Sequence, residues 1–430
     1  MKNGMKPQTL KGFYDYFSDD MRIRNFIKDS FREVAEKYGF EPLETPALEY
    51  SELILGQSGA EAEKLYYKFQ DNGGRDVMLK YELMIPMCRA VAQNINNISL
   101  PYKRYQIQNA WRAENVQRGR LREFTQMDVD ILGSSSPFAD AEVILFGISF
   151  LKKLGFENFR VRLNSREIIQ GIVEILGIEK DKFEDIYIAI DKIEKIGEEK
   201  VKEILIDDSK IEEEKVTELL KIIKIKDIDK ISDTINSSTE GKRGINSVKS
   251  ILSFIKEVEE NKVVFDLSLA RGLASYTGAI WEFEITEGNI GSVSGGGRYD
   301  KAISKYIGKE IPATGTSFGL ERLTEVMKQM NMFKEKENPS ILIIPLEEKS
   351  IPFVLSTAKS LRDQNIQTSI YPDFVKLKDS LKYADKKNFT WVAIIGEDEI
   401  YSNTLMLKNM RTKEQFSLNI KEVIAKIQNK

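Results

Sequence analysis

The stretch from Tyr105 to Ile131 holds the densest group of residues able to do chemistry. Arg112 ends a strand-like run, Arg118, Gly119, Arg120 and Arg122 make a basic loop, and a second strand-like run follows from Phe124. That pattern predicts a hairpin with a cationic tip. Guanidinium forks pair with phosphate oxygens, so the tip suits a polyphosphate; a solvated surface hairpin uses the same residues. Farther along, Arg271 stands beside Gly272 between two β-rich runs, and a residue without a side chain lets a ligand approach the backbone closely. Glu82 lies between apolar neighbours where a strand-like segment turns helical. A carboxylate there can hold a cationic ligand, or simply face solvent.

Composition narrows the chemistry further. The 430 residues include one cysteine, Cys88, and no histidine, which excludes an internal disulfide, a Cys/His zinc site, and Ser-His or Cys-His nucleophilic machinery. Arginine, lysine, carboxylates and Mg2+ remain. The absence of histidine invites a supply explanation, a protein made when histidine is scarce, but drift in a Lys-, Ile-, Glu- and Asn-rich chain is the reading favoured. With 41% hydrophobic and 30% charged residues the chain suits two or three globular domains, and a net charge of −3 leaves RNA binding to local basic patches. No apolar signal segment opens the sequence and no run of about 18 apolar residues occurs, so a soluble, cytoplasmic protein without membrane contact is expected.

The elements that must position these groups follow from periodicity. Asp20 to Tyr38 has helical spacing closed by Gly39, and the next segment, interrupted by Pro42 and Pro46, suits an edge strand. Asp140 to Leu154 reads as a helix and Phe159 to Asn164 as a strand. From about 166 to 260 the pattern is helical and charged, as in an inserted helical module. Gly295-Gly-Gly-Arg-Tyr-Asp reads as a glycine-rich turn, and Thr314 to Phe318 as a small-residue strand entering a helix. After a charged linker, alternating strands and helices from Ile341 onward predict a small α/β domain.

Arg112-Ala-Glu-Asn, the basic loop, then Arg-Glu-Phe-Thr-Gln-Met-Asp closely resembles motif 2 of class II aminoacyl-tRNA synthetases of the histidyl type. The helix and proline-bearing strand before it resemble motif 1, and Gly319-Leu-Glu-Arg322 resembles motif 3. Leu269-Ala-Arg-Gly-Leu is similar to the histidyl-type Arg-Gly signature, and the tail to a class IIa anticodon-binding domain. The resemblance covers essentially the whole chain. It implies an α+β fold: an antiparallel class II sheet with flanking helices at 1–165 and 261–330, a helical insertion at 166–260, and an anticodon-binding-type α/β domain at 338–430.

It also implies a function, the ATP-dependent activation of histidine and its transfer to tRNA by a homodimer. Arg112 and Arg271 would be catalytic, with Arg112, Glu114, Arg120, Phe124 and Arg322 at ATP and Mg2+ arriving with the nucleotide. Glu82, Gln126, Asp130, Arg271, Tyr276 and Tyr299 would hold the amino acid, and Lys376, Lys378, Lys382, Lys386, Lys387, Arg411 and Lys413 would face RNA. Three positions depart from the family pattern: Met84 replaces a threonine, and Ala274 and Ser275 replace an Asp-Tyr pair. Those departures leave open a paralogue with changed amino-acid specificity or no tRNA charging. A second alternative is the non-catalytic, histidine-binding regulatory subunit of ATP phosphoribosyltransferase.

Overall fold

In α1 (Ser18–Lys37) Ile27, Phe31, Val34 and Ala35 recur at helical spacing and are buried, while Asp19, Asp20 and Lys37 complement the helix dipole at either end. The computed structural model describes residues 7–55, 65–116, 119–271, 275–287, 291–333 and 340–428, and divides after Phe333 into two compact units. Gly39 ends α1 at a φ of +74°, where a side chain would be strained.

The first unit is built on an eight-stranded sheet among the described residues. Its strands are β1 (Glu41–Pro42), β5 (Tyr102–Trp111), β6 (Glu123–Leu132), β7 (Phe159–Ser165), β8 (Val263–Phe265), β9 (Ala279–Ile285), β10 (Gly291–Arg298) and β11 (Ala313–Gly319), in the order β1-β5-β6-β11-β10-β9-β7-β8. The six inner strands are antiparallel, and β1 and β8 each add a parallel edge. Pro42 sits on that edge, where its missing N–H costs no ladder bond. A smaller sheet joins β2 (Leu48–Tyr50), β4 (Asp76–Leu79) and β3 (Lys68–Gln70), with α2 (Ser51–Leu55) beside it and α3 (Met84–Gln93) following.

Strand alternation gives the large sheet two unlike faces. Met127, Val129, Ile131 and Phe318 join Phe31 of α1 and Phe146 and Phe150 of α4 (Pro137–Lys153) in one apolar core, with Phe318 5.0 Å from Phe150 in edge-to-face contact. After the short α11 (Ser304–Ile307), α12 (Leu320–Gln329) packs beside α1. The opposite face is polar. Helices α5 (Arg166–Ile175), α6 (Phe183–Ile196), α7 (Glu198–Glu203), α8 (Glu213–Ile223), α9 (Ile228–Thr234) and α10 (Thr239–Lys256) fill the predicted helical stretch, and their buried residues continue the same core.

Two local expectations are corrected. Gly295-Gly-Gly is not a turn but the middle of β10, paired on both sides. The run after Val263 is not strand up to Arg271: β8 stops at Phe265, because Asp266 accepts hydrogen bonds from Ser268 N (3.0 Å) and Ser268 Oγ (2.7 Å) and turns the chain.

The second unit carries β12 (Ser340–Pro345), α13 (Ile351–Asp363), β13 (Gln367–Ile370), α14 (Leu377–Lys386), β14 (Trp391–Ile395), α15 (Glu397–Ser402), β15 (Leu405–Asn409), β16 (Gln415–Leu418) and α16 (Ile420–Gln428). Its sheet runs β13-β12-β14-β15-β16, parallel across β12 and antiparallel in the last hairpin. This is the α/β domain read from the sequence, with α15 added. No helix among the described residues is long and apolar enough to cross a membrane.

Candidate active site

Register across the sheet lines up the polar face. Arg104 of β5 pairs with Asp130 of β6, which pairs with Gly315 of β11, then Gly297 of β10. The next row is Gln106, Asp128, Ser317, Gly295, Glu282 and Arg162, and the third begins Gln108, Gln126, Gly319. Residues two apart along a strand share a face, so Gln126, Asp128 and Asp130 point the same way.

Glycines pave this floor because other groups need the space. A Cβ on Gly295 would lie 1.4 Å from Nη1 of Arg271, and one on Gly315 would lie 2.0 Å from Oδ1 of Asp130. Gly297 leaves room for the Tyr276 ring, which a Cβ would approach to 2.8 Å. Gly295 and Gly297, which suggested a turn, instead let side chains cross the middle of a sheet.

Above part of the floor opens a cleft of about 490 Å³ whose lining includes Arg112, Glu114, Arg120, Phe124, Arg271 and Arg322. All five residues expected at ATP, and both expected catalytic arginines, therefore share one cavity. Arg112 leaves the end of β5, where its Nε donates to the Tyr81 carbonyl at 3.0 Å and its guanidinium lies 4.9 Å from the Phe124 ring centroid. Nη1 of Arg271 is 3.5 Å from Glu282 Oε1, while its buried Nε has no protein partner. Arg322 projects from the first turn of α12 beneath Gly119 and Gly291, and burial, with Arg120 nearby, lowers its affinity for its proton. The loop's Arg122 donates to the Glu114 carbonyl at 3.1 Å. Arg118 lies outside the described residues.

The residues expected to hold the amino acid gather deeper, against the first floor rows. Glu82 accepts hydrogen bonds from the backbone N–H groups of Met84 (2.8 Å) and Ile85 (2.6 Å) at the start of α3; burial raises its pKa, against the pull of those bonds and of Arg112 and Arg104. Gln126 Nε2 donates to Ser317 Oγ at 2.9 Å, and its Oε1 is buried without a protein partner. Asp130 meets Nη2 of Arg104 at 2.6 Å and accepts a short hydrogen bond from the Tyr299 hydroxyl. Burial raises the pKa of Tyr276, which also feels Arg271, Asp130, Asp128 and Glu82. Met84 is half-buried against this cluster, Ser275 is half-buried in the loop before Tyr276, and Ala274 lies outside the described residues.

Sequence reasoning passed over two members. Arg104 is fully buried; burial opposes its charge, but Asp130 and Asp128 outweigh that and hold it protonated. Asp128 is 5% exposed, and burial raises its carboxyl to about 7. The alternation Gln126-x-Asp128-x-Asp130 was the available signal. Two buried carboxylates and the half-buried Glu82 thus surround one buried guanidinium, and the surplus negative charge favours a cationic ligand.

A family model for histidyl-tRNA synthetase matches residues 12–323, and one for an anticodon binding domain matches 340–430. Among curated relatives, a histidine–tRNA ligase of Cytophaga hutchinsonii is 36% identical over 98% of this chain and 99% of its own length. One from Clostridium tetani is 35% identical over 100% and 99%. The fold is shared with a histidyl-tRNA synthetase crystal structure from Nostoc sp. PCC 7120, at a TM-score of 0.84 and 24% identity, covering 99% of both chains.

Proposed function

The chain belongs to the histidyl-tRNA synthetase family, and from that premise we infer that it activates histidine with ATP and transfers it to tRNA. The observation that carries the reading is the joining of Arg112, Arg120, Arg271 and Arg322 in one cleft to a buried cluster rich in carboxylates. Phosphate charge and amino-acid charge find opposite partners side by side. Neither alternative raised from the sequence is favoured, since the full-length relatives are histidine–tRNA ligases and the tail matches an anticodon binding domain.

The proposed chemistry has two steps. Glu82, Gln126 and Asp130 hold the amino acid, with Tyr276 and Tyr299 as walls, and its carboxylate attacks the α-phosphate of ATP. Arg112 and Arg271 stabilise charge growing on that phosphate, and pyrophosphate leaves. Phe124 and Arg322 hold the nucleotide, with Glu114 near the adenine or the Mg2+ that accompanies ATP, and Arg120 on the loop above. The tRNA 3′ end then takes the histidyl group. On this reading 1–165 and 261–330 are the two parts of the catalytic core, 166–260 an insertion, and 338–430 the anticodon-binding domain of a homodimer.

The test is pyrophosphate exchange with Arg112→Ala and Arg271→Ala. Each variant should fold and lose about 3 kcal/mol of transition-state stabilisation, a rate loss of roughly 100-fold or more. Exchange close to the unmodified rate in either variant removes that arginine from the mechanism.

A further inference from the structure

Asp128 has no part in the reading above, yet it occupies the centre of the polar floor. It lies between Gln126 and Asp130 on the same face of β6, opposite Gln106 of β5 and Ser317 of β11. Its side chain is buried and hydrogen-bonded to Ser317, but its Oδ1 has no protein partner. The Arg104 guanidinium does not neutralise it alone, because Nη2 is engaged by Asp130 and Nη1 donates to Gln106 Oε1 at 3.0 Å. Glu82, from the start of α3, adds further negative charge, and the Tyr276 ring lies among all three carboxylates.

A protein gains nothing for its own stability by burying a third carboxylate beside two others. Removing such an oxygen from water without a partner is unfavourable, and burying its charge is more so. An unpaired buried acceptor calls for a partner, and a bound substrate group supplies one where the acceptor lies in a ligand site. One carboxylate at the start of α3 accounts for an α-ammonium. Asp128 Oδ1 is a further free acceptor, flanked along its strand by Gln126 and Asp130 of the amino-acid site, and it calls for a second donor on the same substrate.

We propose that Asp128 is a specificity-determining residue of the amino-acid site, its free Oδ1 accepting an N–H from the substrate side chain. This deepens the histidine-activating reading and rests on it. The neutral imidazole ring carries one such N–H, whereas apolar side chains of similar size carry none and would leave Oδ1 buried and unpaired. A site of this kind discriminates by the penalty it imposes on the wrong ligand.

The expected pH behaviour follows from the same geometry. Burial lifts the Asp128 carboxyl to about 7, with Arg104 pulling it down and Asp130 and Glu82 pushing it up. Below that pH the carboxyl holds a proton that an accepting role must displace, so the KM for histidine should rise as pH falls from about 7.5 to 6. The KM for ATP, bound in the adjoining cleft, should not follow it.

The experiment is pyrophosphate exchange by the full chain and by Asp128→Asn, with histidine and ATP each varied between pH 6 and 8.5, alongside thermal unfolding. Asp128→Asn should raise the KM for histidine about tenfold at pH 8. It should leave the KM for ATP within twofold and flatten the acid limb of the histidine profile; the substrate's own titration is common to both proteins. The midpoint of unfolding should not fall, since an uncompensated buried charge has been removed. A histidine KM within twofold of the unmodified value overturns the proposal. So does a parallel loss for ATP with a lowered unfolding midpoint, which is what a structural strut between β6 and β11 would give. If the variant does not fold, a flat histidine KM across pH 6 to 8.5 in the unmodified enzyme overturns it. Absence of histidine-dependent exchange in the unmodified enzyme instead refutes the underlying function.

Discussion

Replacing Gly295 by alanine tests whether the glycine-paved floor exists to position Arg271. The added Cβ would lie 1.4 Å from Arg271 Nη1, 2.0 Å from Cζ and 2.4 Å from Nη2, and its three nearest neighbours all belong to the mobile end of that side chain. Ordinary contact needs about 3.4 Å or more, so the guanidinium must retreat by roughly 2 Å while the backbone of β10 stays in place. Misplacing a catalytic group by about 1 Å can cost on the order of 100-fold, so Gly295→Ala should reduce kcat/KM for pyrophosphate exchange by roughly 100- to 1000-fold. Gly295 does not take a left-handed φ, and alanine in its place restricts the unfolded chain, so stability should be unchanged or slightly higher. The assay is a double-mutant cycle with Arg271→Ala: once the arginine side chain is gone, Gly295→Ala should add nothing. Activity within threefold of the unmodified protein, or full additivity in the cycle, would refute the reasoning. Gly315→Ala offers a contrast, because its Cβ would also meet the Val129 carbonyl at 2.7 Å and should unsettle the sheet itself.

Three further outcomes are expected. Arg24 and Glu321 form a buried ion pair at 2.9 Å, with Glu321 also accepting from Thr125 N at 2.9 Å; Glu321→Ala should lower unfolding stability by about 3–5 kcal/mol in urea titrations, and Arg24→Met with Glu321→Leu should recover most of it. In the second unit, exposed Lys378, Lys382 and Lys386 on α14 changed together to alanine should raise the KM for tRNA about tenfold and steepen nothing in pyrophosphate exchange, as aminoacylation and exchange assays run side by side will show. Light scattering at micromolar concentration should give twice the chain mass, as the motif 1 resemblance at residues 21–50 implies; a monomer contradicts that assembly.

Much of this architecture could be read from periodicity. The apolar stripe of α1, the hairpin of β5 and β6, the helical stretch from 166 and the α/β tail each declare themselves through spacing of 3.6 or 2. Glycine misled, because Gly295 to Gly297 carry the composition of a turn while their actual constraint, the passage of Arg271, Trp281 and Tyr276, comes from the neighbouring strand and the segment leading into it. The end of β8 was missed for a related reason: the turning device is Asp266, and its partner Arg162 lies on β7, about a hundred residues earlier. In the candidate site, Arg112, Arg271 and Arg322 were singled out through the family motifs they resemble, and they line one cleft. Asp128 was not, since its meaning depends on register with Ser317 and on the engagement of Arg104 by Asp130, neither of which a single strand reveals.

The most direct measurement is ATP–pyrophosphate exchange with each of the twenty amino acids, followed by transfer of the activated residue to tRNA. Histidine should support exchange at low concentration and be charged onto tRNA, with the pocket formed around Glu82, Met84, Gln126, Asp130 and Tyr276 rejecting amino acids whose side chains lack an N–H. Exchange driven better by another amino acid, or no exchange with histidine while ATP still binds, would contradict the account.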